Sequence, residues 1–154
     1  EHKGHIVAGV VFDPAKDEMF FAEKGQGSYM NDTRLRVSGR YKMIEGLFST
    51  GMPFGGRSDL PETLKELGRL LPVCSGVRRF GAAALDLAYV AAGRYDGFWE
   101  RNLNAWDIAA GVIIVKEAGG LVEPVTQGHN IIEDGEVICA NDAMFSQLAK
   151  IVRA

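Results

Sequence analysis

Cysteine is scarce in this chain: two residues, Cys74 and Cys139, far apart and in apolar surroundings. That excludes a disulfide-built framework and reads as two buried free thiols in a reducing cytoplasm. Histidine is scarce too. His2, His5 and His129 lack H-x-x-x-H spacing, so the sequence points to no histidine metal site. No Ser-His-Asp or Cys-His grouping stands out, and there is no G-x-x-x-x-G-K-[ST] loop. Gly25-Gln26-Gly27 is too short for a dinucleotide fingerprint. No apolar run approaches the ~20 residues of a membrane span. Nor is there an excess of positive charge. The net charge is −3, and the basic residues are scattered apart from short pairs such as Arg78-Arg79. This argues against a nucleic acid as the main partner.

What is present suits one domain, or one half of a larger two-part fold. The chain has 154 residues and is 47% hydrophobic, enough for a real core. It opens on "EHKGHIVAGVVF" and enters a strand almost at once, as if an upstream segment preceded it. Residues 5–23 read as a hairpin around the turn "DPAKDE", with Asp13, Asp17 and Glu18 solvated. "RLRVS" alternates like an edge strand, "GLFSTGM" is a short strand, and "PFGGRSD" is a loop. "LPETLKELGRLL" predicts a helix with Leu60, Leu64, Leu67 and Leu71 on its apolar face, Asp59 as cap and Pro61 in its first turn. Then strand and helix alternate: a strand over 73–80, a helix over 81–93, a strand over 94–100, and a helix from Ala105 to the glycine pair at 119–120. A strand over 121–125, a loop over 126–135, a strand over 136–141 and a closing helix capped by Asn141 or Asp142 follow. This alternation predicts sheets and helices stacked in layers.

Two helix starts carry chemistry. In "RRFGAAALDLAYV", Gly81 lies where a strand turns into a helix. Ala82, Ala83 and Ala84 leave the first-turn N–H groups open. Such a mouth suits a phosphate or a ligand hydroxyl, or simply lets a helix pack closely on a sheet. In "GFWERNLNAWD", Glu100 ends an apolar strand and Asp107 begins the next helix. Strand ends and helix starts meet at one edge of layered α/β folds, where ligands bind. Two carboxylates there can take Mg²⁺ or a polyol. Equally, Asp107 can be a helix cap and Glu100 a solvent-facing salt-bridge partner. Asp86 reads as a surface acid near its helix start, and Asp96 as a turn residue before Gly97.

The string "GAAALDLAYVAAGRYDGFWERNLNAWDIAAGVIIVKEAGG" resembles the C-terminal signature of the inositol monophosphatase family. There a W-D pair starts a small-residue helix that ends in E-A-G-G, here Trp106-Asp107 through Glu117-Ala118-Gly119-Gly120. "GVVFDPAKDEMFFAEKGQGSYMND" resembles the hairpin that follows the family's first metal motif, so the resemblance runs from about residue 5 to the end. It implies the C-terminal portion of a layered α/β/α/β/α sandwich, with 1–154 as one inositol monophosphatase-like domain. It implies Mg²⁺-dependent hydrolysis of a small phosphate monoester, such as an inositol monophosphate, by a cytoplasmic homodimer. Wider relatives act on fructose 1,6-bisphosphate or 3′-phosphoadenosine phosphates. Asp107 maps onto a metal ligand. Gly81, Ala82 and Ala83 map onto the substrate-binding G-x-A segment, and Glu100 onto the carboxylate that binds the polyol hydroxyls. Ala82 stands where the family often has a hydroxyl residue, which removes a polar contact.

The family's main metal motif, D-P-[ILV]-D-G-T, is absent, as is its upstream metal-binding glutamate. "FDPAKDE" lacks the D-G-T and is a look-alike in a hairpin turn. Metal ions in this family neutralise the phosphate, acidify a bound water and stabilise the departing alkoxide. Asp107 alone cannot hold two or three of them. The expectation is therefore a phosphatase in the intact protein and little activity from these 154 residues by themselves. A competing expectation is a non-catalytic binding or regulatory module, which some bacterial members resemble through a partnership with transcription machinery.

Overall fold

In the computed structural model, residues 1–53 and 59–154 are described. The first sheet is antiparallel and sequential: β1 (Ala8–Asp13), β2 (Glu18–Glu23), β3 (Gly27–Met30) and the two-residue β4 (Thr33–Arg34). The expected hairpin is present, with Val10 opposite Phe21 and Phe12 opposite Met19. The expected edge strand stops at Arg34. Leu35 N–H still bonds to the Ser28 carbonyl of β3 (2.7 Å); beyond it the chain leaves the sheet, and Val37 N–H bonds to the Ala118 carbonyl (3.1 Å) at the end of a helix instead.

The second sheet has the order β6 (Gly76–Arg78), β5 (Leu47–Thr50), β7 (Gly97–Glu100), β9 (Val137–Ala140), β8 (Leu121–Glu123). β5, β6 and β7 run parallel; β9 is antiparallel to β7 and to β8. Helices α2 (Ala83–Ala91) and α3 (Ala105–Glu117) lie between the sheets. Leu87, Val90, Ile108 and Ile114 of these helices pack in one core with Val11 and Phe20 of the first sheet and Phe98 and Cys139 of the second. Helices α1 (Leu60–Leu70) and α5 (Asp142–Val152) cover the other face of the second sheet. There Phe48, Trp99 and Ile138 meet Leu70, Met144 and Leu148. The layers thus run sheet, helices, sheet, helices, four of the five in the expected sandwich.

Several expectations need correction. The segment 126–135 is not all loop: Ile131–Asp134 forms the short helix α4, capped by Asn130, whose side chain accepts from Ile132 N (2.9 Å). Helix α1 forms with Pro61 in its first turn, but of its leucine stripe only Leu67 packs, partly buried, against the core. Leu60, Leu64 and Leu71 are exposed, while Thr63, Glu66 and Leu70 are buried. The cause is polar: the Glu66 carboxylate accepts the Trp99 indole N–H (2.8 Å) and an Arg101 hydrogen bond, which turns that face of the helix to the sheet. Asp59 makes no side-chain cap; its carboxylate accepts from Asn102 (2.8 Å). Of the loop expected over 53–59, residues 54–58 lie outside the described residues. Asn141 does cap α5, accepting from Met144 N (2.9 Å).

The small acids also differ from expectation. Asp17 is exposed, but Asp13 is only 5% exposed and paired with Lys16 (2.7 Å), which holds its carboxyl below the usual range. Glu18 is half-buried and bonds through both oxygens to Arg94 (2.6 and 2.7 Å), with the same downward effect. Asp96 is in a bend, as expected, yet fully buried. It receives Leu47 N–H (2.8 Å), Arg40 (3.1 Å) and the Ser38 hydroxyl. Both cysteines are buried free thiols whose pKa values burial raises.

Candidate active site

The parallel run of β6, β5 and β7 decides where the candidate residues meet. All three strands end at the same sheet edge. β6 leads to Gly81 and the start of α2, β5 ends beside Gly51, and β7 ends in Glu100 and leads to Asp107 at the start of α3. This is the carboxyl edge where open α/β sheets bind ligands. The two helices reach that edge side by side because Gly111 of α3 has no side chain. A Cβ there would fall within 2.6 Å of Leu87 Cβ on α2.

Gly81 has φ +90°, a conformation that side chains resist, and makes the sharp turn expected. The Arg79 guanidinium packs over it, where a Cβ would otherwise go. No side chain caps α2 at Ala82, so the first-turn N–H groups of the alanine run are not covered by a cap. Behind this mouth sits Asp86, which the sequence reading placed on the surface. It is 1% exposed, and its Oδ1 has no hydrogen-bond partner among the described residues. Burial pushes its pKa up to about 6, against the opposing pull of the Ser49 hydroxyl, the Ala82 amide and the Arg79 charge. The surface assignment failed because α2 is buried on every side over 86–91: its acid falls inside along with Leu87 and Val90.

Asp107 is the third residue of α3 and is half-buried. Its Oδ2 accepts the Asn104 backbone N–H (2.9 Å) and faces the Asn104 side-chain amide (3.4 Å). The cap reading therefore holds, and it fixes the carboxylate in one orientation. Trp106 beside it is 79% exposed. Glu100 is half-buried, and Gly51 lies directly against its carboxyl group. Its neighbours are pinned: Trp99 by Glu66 and by Thr50, whose hydroxyl donates to the Trp99 carbonyl (2.6 Å), and Arg101 by Glu66. Sequence reasoning missed Gly51 and Glu66. Only the parallel register that sets Thr50 beside Trp99 brings them to Glu100.

One carboxylate does not make a Mg²⁺ site, since the ion takes several oxygens. Among the described residues no group of three histidine, cysteine, aspartate or glutamate side chains is placed to hold a metal. Asp107 fits a single ligand of such a site, and these residues do not complete one.

The sequence profile of the inositol monophosphatase family matches residues 1–154. The chain belongs to the inositol monophosphatase family. It is 49% identical to an inositol-1-monophosphatase of Mesorhizobium japonicum over 99% of its own length and 58% of the relative's. It is 44% identical to the Nus factor SuhB of Pseudomonas aeruginosa, again over 99% of the chain and 57% of the relative. The extragenic suppressor protein SuhB of Bartonella henselae superposes with a TM-score of 0.94 at 46% identity, over 99% of this chain and 59% of that one. The chain thus spans under two thirds of the length of the relatives it matches. The layered α/β fold is that of inositol monophosphatase and SuhB structures. The E-A-G-G signature also acquires a physical role. The Glu117 carboxylate accepts Gly25 N–H and Gly27 N–H (both 2.9 Å), tying the end of α3 to the β2–β3 turn.

Proposed function

We propose that this chain is the substrate-binding portion of a Mg²⁺-dependent phosphatase that hydrolyses a small phosphorylated polyol, with an inositol monophosphate as the best-fitting substrate. The observation that carries the reading is the convergence of Gly81–Ala83, Glu100 and Asp107, from three separate segments, at one sheet edge. In this reading the open N–H groups at the start of α2 bind anionic or hydroxyl oxygens. Glu100 accepts hydrogen bonds from the ring hydroxyls of the polyol, and Asp107 contributes one metal ligand, its free rotation removed by Asn104. Segments beyond these 154 residues supply the remaining metal ligands. The reading includes a cytoplasmic homodimer, in keeping with the two free thiols.

The test is a panel of phosphate esters offered, with Mg²⁺, to the protein as encoded with any flanking sequence retained. Phosphate release from inositol 1-phosphate should exceed that from fructose 1,6-bisphosphate and 3′-phosphoadenosine phosphate by at least tenfold. Equal rates on all three would remove the polyol assignment. A second reading is favoured by the relatives named Nus factor SuhB: a binding module that acts on transcription rather than on a phosphate ester. It predicts no phosphate release from any ester in the panel, together with binding to an RNA polymerase complex.

A further inference from the structure

We infer that Gly51 is a specificity-determining position: the missing side chain there leaves the space that the Glu100 carboxylate occupies, and so sets where that carboxylate meets the polyol. The inference rests on the reading of Glu100 given above and adds a residue that touches neither substrate nor metal. A Cβ built on Gly51 would overlap the carboxyl carbon and both oxygens of Glu100. The three atoms nearest to that point all belong to the end of the Glu100 side chain. Gly51 is not in the left-handed region, so its backbone accepts an alanine.

What yields is therefore decided by what is fixed. The strand on the Glu100 side cannot move away. Trp99 is bonded through its carbonyl to Thr50 (2.6 Å) and through its indole to Glu66 (2.8 Å). Arg101 is bonded to Glu66 and lies 3.9 Å from Glu136, itself held by the Thr126 amide (2.7 Å). Glu66 is 1% exposed, so this clamp is buried. With residues 99 and 101 held, a methyl at 51 takes the space of the Glu100 carboxylate, which has to shift from its present position. The carboxylate leaves its place while the fold stays intact. Position 51 thereby acts as a size filter on the orientation of Glu100, and a polyol that depends on that orientation loses affinity.

The experiment compares Gly51→Ala, Glu100→Ala and the double variant in the protein as encoded, with steady-state kinetics on inositol 1-phosphate and on 4-nitrophenyl phosphate, which has no hydroxyl to bind. Gly51→Ala should raise the ratio of KM for inositol 1-phosphate to KM for 4-nitrophenyl phosphate about tenfold, the loss of one charged hydrogen bond. On the Glu100→Ala background the same substitution should change that ratio less than about twofold, because its target is gone. In Gly51→Ala, Glu100→Asp should recover part of the loss by drawing the carboxylate back one methylene. An unchanged ratio in Gly51→Ala, or an equal rise with and without Glu100, overturns the inference while leaving the reading of Glu100 standing. So does a melting point lowered by more than about 5 °C, since the clash would then reach beyond one side chain. If Glu100→Ala itself leaves the ratio unchanged, the polyol role of Glu100 falls and the inference with it.

Discussion

Asp86 keeps a carboxyl where water cannot reach it, and its pKa rises to about 6 from the ordinary 3.8. Between those two values the folded chain binds more protons at this site than the unfolded chain does. Stability therefore falls as pH rises through that window, by about 3 kcal/mol in all. Asp86→Asn removes this dependence. Its stability relative to the unsubstituted chain should increase between pH 4 and pH 7.5, as measured by urea midpoints at both values. A difference that is the same at both would contradict the buried, titrating carboxyl. Asp96 is buried as well, but its carboxylate is met by Arg40, Ser38 and Leu47 N–H. Asp96→Ala leaves those donors stranded and should cost roughly 3 kcal/mol in the same measurement. Neither role was legible in the sequence. Asp86 and Asp96 look alike there, one near a helix start and one before a glycine. What separates them is which donors arrive from distant segments, for Asp96 from 49 to 58 residues away. The positions of Glu100 at a strand end and Asp107 at a helix start were legible because strand end and helix start follow each other in the chain.

Helix α3 was readable from Asp107 in its first turn to the glycine pair at its close, because each of those signals is local. The face of α1 was not, because burying Glu66 depends on Trp99 and Arg101, which no periodicity reveals. The signature E-A-G-G was readable as a helix stop, whereas the work of Glu117 at the β2–β3 turn needs the tertiary fold. That contact yields a prediction at the scale of the element. In Glu117→Ala the amides of Gly25 and Gly27 lose their acceptors, and their hydrogen exchange should speed up by tenfold or more. The substitution should cost about 1–3 kcal/mol overall. Exchange at those two amides as slow as before would mean that the turn holds itself.

At the scale of the molecule, the first sheet presents an uncovered apolar face. Val10, Phe12 and Met19 are 60%, 52% and 43% exposed, and Phe21 stacks on Tyr29 in the same cross-strand row as Val10. Such faces associate. By light scattering the 154-residue chain alone should be larger than a monomer, and Val10→Ser with Phe12→Ser should shift it toward the monomer. A clean monomer before substitution would count against this. Sequence patterning gave the layers, but it could not say that this face is open, since alternation marks a strand's two sides without naming what covers each. The central claim is that Asp107, held by Asn104 at the start of α3, is a metal ligand of a phosphatase. It is tested most directly by Asp107→Asn in the protein as encoded, with Mg²⁺-dependent phosphate release from inositol 1-phosphate as the readout. The amide can still accept the Asn104 N–H, so the helix start is kept while the ligand charge is lost. The account predicts a fall of about 100-fold or more with an unchanged melting point. Turnover equal to that of the unsubstituted protein would contradict it.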